Sequence, residues 1–97
     1  MFARVAIVHM RKDQIDAAVQ LSKDSVIPAA KSQKGFHGAQ LLTEPNGKGI
    51  FITFWDNLGN AIDNEQNSYY QEQLAKLKDV FDAPPVDEGY NVAFRTD

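Results

Sequence analysis

The stretch FITFWDN, residues 51–57, decides the fold because its strand is apolar on both sides and contains the only tryptophan of the chain. Successive side chains of a strand point to opposite faces of the sheet, and a sheet covered on one face normally alternates apolar and polar residues. Here the two faces divide as Ile50, Ile52 and Phe54 against Phe51, Thr53 and Trp55. This composition predicts a central strand with both faces covered.

Three further segments have the length and composition of strands. The sequence PNG places an Asn-Gly turn between two apolar segments, which is the strongest short-range signal of a β-hairpin. The segment FARVAIVHM is rich in β-branched residues, and EGYNVAFR alternates apolar and polar positions. The predicted strands are residues 2–10, 36–44, 48–56 and 88–95.

The segments between these strands have the periodicity of helices. Asp13 is the predicted N-cap of a first helix that runs to about Gln33, and Pro28 is expected to loosen its last turns. A second helical region covers residues 57–81 and is interrupted before Ser68, where a new capping pattern begins. The element order is therefore βαββαβ.

This order, with right-handed crossovers, predicts a ferredoxin-like α+β fold. The four-stranded antiparallel sheet has both helices on one face, and the first and third strands lie in its centre. The first strand is also apolar on both sides, with Val5 and Ile7 opposing Ala6 and Val8. Because the chain has no further element to cover the second face, we expect a second copy to cover it in a homodimer.

Composition limits the classes of function. The chain has 97 residues, which predicts one domain over residues 1–97, and the absence of cysteine excludes disulfides and thiolate chemistry. A formal charge of −3 without a basic cluster argues against nucleic acid as a partner. The opening MFARVAIVHMRKDQ is too short for a membrane span and lacks the features of a secretory signal, so we expect a cytoplasmic protein without a membrane partner.

Three segments carry a resemblance to a known family: the strand ending in WD, the helix exit IPAAKSQKGFHG and the closing PPVDEGYNVAF. Over nearly its whole length the chain resembles the dimeric α+β barrel superfamily, specifically the antibiotic biosynthesis monooxygenase-like domains. The resemblance implies that two ferredoxin-like sheets pair into a closed barrel, with a ligand cavity between sheet and helices in each subunit. It also implies activities such as cofactor-free oxidation of quinols and polycyclic phenols, or oxidative breakdown of haem.

The resemblance places Trp55 toward the helices, as part of the wall of that cavity. A hairpin loop of two or four residues predicts which positions lie opposite each other. The predicted pairs are Trp55 with Gly38, Thr53 with Gln40, and Phe51 with Leu42. A loop of three residues would instead place His37 opposite Trp55.

The candidate substrate-binding residues combine the resemblance with this pairing. They are Trp55, Phe51, Thr53, Gln40, Val5, Ile7, Asn64 and Tyr69. Phe51 occupies a position where the phenol-oxidising relatives have an asparagine, so it can stack on a ligand but cannot hydrogen-bond to it. The second helical region contains no histidine, although the haem-degrading relatives use one there to bind iron. Haem is therefore not the expected cofactor, and the resemblance implies that no cofactor is needed.

The two histidines provide a separate test for metal chemistry. His9 ends the first strand and His37 begins the second, at opposite ends of the predicted sheet and roughly 20 Å apart. This separation predicts no shared metal site. His9 is a candidate general base because the pKa of free histidine lies near neutrality, although an ordinary strand-end histidine fits the pattern as well.

Two functions remain open at this point. The first is a cofactor-independent monooxygenase that acts on a small phenolic or quinol-type aromatic compound. The alternative is a non-catalytic homodimer of the same fold, which binds a small aromatic molecule or has a structural role. The scarcity of ionisable groups predicted to face the cavity favours this alternative.

Overall fold

The computed structural model describes residues 1–97 and contains four strands and four α-helical segments. The strands are β1 (Phe2–His9), β2 (Phe36–Thr43), β3 (Lys48–Trp55) and β4 (Val86–Asn91). The helices are α1 (Ile15–Leu21), α2 (Ile27–Lys31), α3 (Leu58–Gln66) and α4 (Ser68–Ala75). None of these helices has the length and apolar character that crossing a membrane requires.

The strands form one antiparallel sheet in the order β2-β3-β1-β4. The predicted ferredoxin-like α+β class and the central positions of the first and third strands are confirmed. In the central pair, Phe2 lies opposite Trp55 and His9 lies opposite Lys48. This register places alternate residues of β1 and β3 on one face, together with Trp55.

The loop of the hairpin between β2 and β3 has three residues, which is the alternative to the predicted loop of two or four residues. The Glu44 N–H donates to the carbonyl of Lys48 at 2.8 Å, which leaves three residues in the loop. Ala39 therefore lies opposite Thr53, and a bulge at His37 brings Phe36 opposite Trp55. The predicted pairs of Thr53 with Gln40, Trp55 with Gly38 and Phe51 with Leu42 are wrong, because an odd loop shifts the register by one residue.

The first helical region is continuous but contains one π-helical turn, Ser22–Val26, between α1 and α2. The Ile27 N–H donates to the carbonyl of Ser22, five residues back, instead of four. The turn ends two residues before Pro28, which has no N–H to donate to the hydrogen bonds of an α-helix. Asp13 is not the cap of α1, since the N-cap position is Gln14 and its side chain makes no capping hydrogen bond.

Two asparagines start the helices of the second helical region. The side chain of Asn57 accepts from the N–H of Asn60 at 2.9 Å, and that of Asn67 accepts from the N–H of Tyr70 at 2.9 Å. The predicted interruption is present, but its capping residue is Asn67 instead of Ser68. The interruption sets the rotation of α4 and turns the side chain of Tyr70 inward.

The last strand starts and ends earlier than predicted, at Val86–Asn91 instead of 88–95. Beyond it, the Val92 N–H donates to the carbonyl of Met1 at 2.9 Å. The Arg95 guanidinium then lies 4.0 Å from the centre of the Phe54 ring, a cation–π contact. The end of the chain therefore crosses one end of the sheet instead of extending β4.

The two faces of the sheet differ in what covers them. One face packs on the helices and forms the buried core with Phe2, Val8, Met10, Trp55, Ala18, Val26, Ala30, Ala61, Tyr70 and Leu77. We call the opposite side the outer face; at its centre lie Val5, Ile7, Ile50, Ile52 and Phe54, all half-buried. Leu42, Val86 and Tyr90 extend this apolar surface and are exposed.

Candidate functional site

A cavity of about 280 Å³ lies between the helix-covered face of the sheet, the helices α1 and α4, and the segment that leads into β4. Its apolar walls are Ala6, Val8, Met10, Ala18, Leu41, Phe51, Leu74, Leu77, Phe81 and Pro85. Its polar wall residues are Arg4, Ser22, Thr53, Glu65, Tyr70 and Asp87. The cavity thus combines a mainly apolar space with a small number of polar and charged groups, as ligand sites do.

Arg4 and Glu65 form an ion pair at the wall of this cavity. In the sheet, Arg4 lies between Thr53 of β3 and Gly89 of β4, and its Nε contacts Oε1 of Glu65 at the end of α3. Nε of Arg4 is buried and, although it contacts the carboxylate, has no hydrogen-bond partner of good geometry, so the guanidinium can donate to a bound ligand.

Gly89 leaves the space that this arrangement needs. A side chain at position 89 would bring its Cβ within 2.6 Å of Cζ of Phe2 and 3.1 Å of Nη1 of Arg4. The glycine therefore allows the guanidinium to lie across β4 beside the Phe2 ring, whose centre is 5.5 Å from Cζ of Arg4.

Tyr70 contributes the hydroxyl at the same wall and is 8% exposed. Burial raises the pKa of Tyr70 to about 12; a hydrogen bond from Asn64 acts in the opposite direction, and the negative charges of Glu65 and Asp87 add to the rise. At neutral pH the hydroxyl is therefore protonated and can donate a hydrogen bond. Asn64 itself is 2% exposed, and its Oδ1 has no hydrogen-bond partner.

Trp55 supports the cavity without lining it. Its side chain is 1% exposed and packs with its ring centre 5.5 Å from that of Phe36, edge to face. The indole N–H donates to Oγ1 of Thr53 at 2.8 Å. The indole thus holds the Thr53 side chain in place and leaves the hydroxyl hydrogen of Thr53 available to a ligand.

Several predicted site residues do not reach the cavity. Phe51 and Thr53 line it, and Asn64 lies behind its polar wall against Tyr70. The others lie elsewhere: Val5, Ile7 and His9 alternate onto the outer face, Gln40 follows them because of the hairpin register, and Tyr69 is 55% exposed. The structure therefore does not bring the predicted substrate-binding residues Val5, Ile7, Gln40 and Tyr69, or the candidate base His9, to this cavity.

The histidines lie far apart, at opposite ends of β3. His9 is opposite Lys48, whereas His37 lies in the bulge near Trp55 and its Nε2 contacts Oδ1 of Asp56. Neither belongs to a cluster of three or more side chains of the kind that bind a metal ion. The His37 contact instead links the start of β2 to the end of β3.

The sequence analysis did not predict the charged wall of the cavity. Arg4, Glu65, Tyr70 and Asp87 all line the cavity, so ionisable groups there are not scarce. One signal was present: Arg4 is the only charged residue within the otherwise apolar segment FARVAIVH, on the same side as Phe2, Ala6 and Val8. Glu65 and Asp87 gave no such signal, because each lies in a polar segment.

The cavity opens beside α4. A second depression of about 610 Å³ lies directly outside and shares Leu74, Phe81 and Pro85 with the cavity. Leu74 is 40% exposed, and it faces the segment that contains Pro85. The gap between α4 and the segment Phe81–Pro85 is therefore a route from outside toward the cavity.

Comparisons with solved structures agree with this architecture. The "putative antibiotic biosynthesis monooxygenase from Caulobacter crescentus CB15" superimposes with a TM-score of 0.82 at 13% identity, over 96% of this chain and 90% of its own. For the protein of the same description from Nitrosomonas europaea, the TM-score is 0.80 at 11% identity, with coverages of 97% and 100%. For that from Bordetella bronchiseptica, the TM-score is 0.76 at 18% identity, with coverages of 96% and 97%.

These similarities define the class of fold. The chain has the α+β fold found in structures described as antibiotic biosynthesis monooxygenases, over almost the full length of each. No protein-family model matches the sequence, and no curated protein matches it either. The α+β fold of the single chain that the resemblance implies is confirmed, whereas the fold alone does not establish an activity.

Proposed function

We propose that this protein is a cofactor-independent monooxygenase that acts on a small phenolic or quinol-type aromatic compound. The observation that carries the proposal is the cavity, in which apolar walls meet the Arg4–Glu65 pair and the protonated hydroxyl of Tyr70. Structural neighbours described as antibiotic biosynthesis monooxygenases support the same class of activity.

The chemistry follows from the groups at the polar wall. Oxidation without a cofactor requires the substrate itself to supply electrons to O₂, and a deprotonated phenol does so more readily than a neutral one. In the net reaction the substrate loses two hydrogens and gains one oxygen atom as a quinone carbonyl, and the other oxygen atom leaves as water. The Glu65 carboxylate is the group that accepts the phenolic proton, and the Arg4 guanidinium stabilises the resulting phenolate. The Tyr70 hydroxyl donates a further hydrogen bond to that oxygen, while the apolar walls hold the ring and exclude water.

The size of the cavity limits the substrate. An engineered protein cavity of about 150 Å³ holds one benzene ring. The cavity here, at about 280 Å³, is therefore suited to a ligand of one or two rings. A larger polycyclic substrate would require the opening beside Leu74 and Pro85 to widen.

A homodimer is part of the same proposal. The outer face exposes an apolar surface that includes Ile50, Ile52 and Phe54 of the central strand β3. Each large apolar side chain removed from water contributes about 1.5–3 kcal/mol, so several of them together stabilise a permanent association. A two-fold axis allows the same surface of both copies to meet.

The test is oxygen consumption with a panel of hydroquinone, naphthohydroquinone and anthrone-like compounds, in the presence of a metal chelator. We expect oxygen uptake that persists with the chelator and falls about 100-fold in Arg4→Gln, because the phenolate loses its stabilising charge. Arg11→Gln is the matched control, since Arg11 is an exposed arginine away from the cavity. Equal activity of both variants, or no uptake with any compound, would contradict the proposal.

A second candidate function is ligand binding without turnover. It is favoured by Phe51, which places an apolar ring in the cavity at the position where the phenol-oxidising relatives have an asparagine. The indicator is the fluorescence of Trp55, whose indole contacts the cavity residue Thr53. Saturable quenching by 2-naphthol, weakened in Phe51→Ala and accompanied by no oxygen uptake, would identify a binding protein.

A further inference from the structure

A groove separate from the cavity runs between the first helical region and the edge strand β2. It has a volume of about 590 Å³, within the range of small-molecule sites. Its apolar floor consists of Val19, Ile27, Phe36, Ala39, Leu41 and Phe51. Ser22, Leu41 and Phe51 line both the groove and the cavity, so these side chains form the partition between the two spaces.

The π-helical turn sets which residues of the helix face this groove. Val19, Lys23, Ile27 and Lys31 follow each other at intervals of four residues, and all four line the groove. In a regular α-helix, steps of four residues drift around the axis by about 40° each, so such a row turns away from a straight groove. The turn Ser22–Val26 takes up one additional residue, reduces this drift and keeps the row on one side.

The two lysines of this row have no acidic partner. The ion pairs of the structure involve Arg4, Arg11 and His37, and neither Lys23 nor Lys31 takes part in one. None of the seven lysines of the chain forms an ion pair, and Lys23 and Lys31 differ from the other five in lining this groove. Eight residues of helix separate the two lysines by about 12 Å, so an ammonium group lies near whichever end of the groove holds the charged end of a ligand.

We propose that this groove is a second ligand site, which binds a small organic anion with an apolar body, such as a medium-chain carboxylate. The apolar floor takes the body of the ligand, and either Lys23 or Lys31 neutralises its single charge. Helical segments with a π turn are frequent at functional sites. The site does not depend on the monooxygenase activity, because its charged residues lie outside the cavity.

The test is a titration of ¹⁵N-labelled protein with octanoate, followed by the NMR shifts of the backbone amides. We expect shifts confined to residues 19–31 and 36–41 and to Phe51, and markedly smaller shifts with the neutral analogue octanamide. The double variant Lys23→Gln/Lys31→Gln weakens octanoate binding about 5-fold, because no ammonium group is left at either end of the groove to pair with the carboxylate. Lys12→Gln/Lys48→Gln removes the same charge from lysines away from the groove and leaves the affinity unchanged.

Three outcomes would overturn the proposal. The first is a set of shifts centred on the cavity residues Arg4, Thr53 and Tyr70, which would assign octanoate to the cavity. The second is groove binding that is equally strong in both double variants, which would show that the lysines do not recognise the anion. The third is the absence of shifts at millimolar octanoate.

Discussion

The two faces of one sheet use the same strands for different purposes. On the helix-covered face, β3 contributes Thr53 and Trp55, both buried, and β1 contributes Arg4 to a charged cavity wall. On the outer face, the same two strands contribute only aliphatic and aromatic side chains at the centre, such as Ile52 and Phe54. The difference indicates that the polar groups of the sheet lie on the side where the helices shield them from water. The outer face has only apolar groups at its centre and is suited to contact with a second protein surface.

The largest expected effect separates the two aromatic residues at the end of β3. Trp55→Ala should lower the free energy of unfolding by about 3–5 kcal/mol at every protein concentration, because a fully buried side chain is removed. Phe54→Ala should lower it by an amount that grows with protein concentration, because Phe54 belongs to the proposed interface. Urea unfolding at two protein concentrations measures both changes in free energy. The same dependence on protein concentration in both variants would contradict the assignment of the two residues to different faces.

A charge on the outer face should separate the proposed dimer. Ile52→Asp places an unpaired carboxylate in the centre of the apolar surface, which we expect to weaken association by at least about 3 kcal/mol. Sedimentation velocity at micromolar concentration should show a dimer for the natural chain and a monomer for the variant. Ile62→Asp, on the partly exposed surface of α3, is the control and should stay dimeric. A well-folded monomer of the natural chain would contradict the proposed assembly.

The buried hydroxyl on the helix-covered face should make the protein sensitive to high pH. The folded pKa of Tyr70 is about 12, above the ordinary value of 10, so its contribution to stability is fully present below pH 10 and is lost as the pH rises through 12. Between pH 9 and 11.5 this hydroxyl should lower the free energy of unfolding of the natural chain by about 2 kcal/mol, and Tyr70→Phe should lack that decrease.

Tyr69→Phe is the matched control for this measurement, because Tyr69 is the exposed neighbour in the same helix. Urea unfolding at pH 9 and at pH 11.5 provides the two free energies for each protein. If both variants retain the pH dependence of the natural chain, the Tyr70 hydroxyl is not shielded from water.

The smallest effect concerns the opening of the cavity. Leu74→Ala should raise the affinity for two-ring phenols relative to one-ring phenols roughly 3-fold, because it widens the passage toward Pro85. Quenching of Trp55 fluorescence reports both affinities without requiring turnover. Leu58→Ala removes a similarly exposed leucine from α3 and should leave the ratio unchanged. An unchanged ratio in Leu74→Ala would place the entrance elsewhere.

Sequence patterns predicted the architecture because each element carried its own signal. The two-sided apolar composition of β3 predicted its central position, and the Asn-Gly turn predicted the hairpin. The position of Phe51 and Thr53 on the same face followed from alternation within one strand, which requires no knowledge of pairing.

Features that depend on pairing between elements were harder to predict. A single residue of loop length moved Gln40 to the outer face, because the side-chain period of a strand is two. The last helix is capped by Asn67 instead of Ser68, and in this helix Tyr70 points inward whereas Tyr69 is exposed. The meeting of Arg4 with Glu65 joins two elements distant in the chain, and neither sequence segment specifies the other.

The most direct test of the account is where a small phenol binds. Nuclear Overhauser contacts between 2-naphthol and the methyl groups of labelled protein distinguish the two faces of the sheet. We expect contacts to the methyl groups of Met10 and Leu77, which line the cavity. Contacts only to Ile50 and Ile52 on the outer face would show that the helix-covered cavity is not the ligand site.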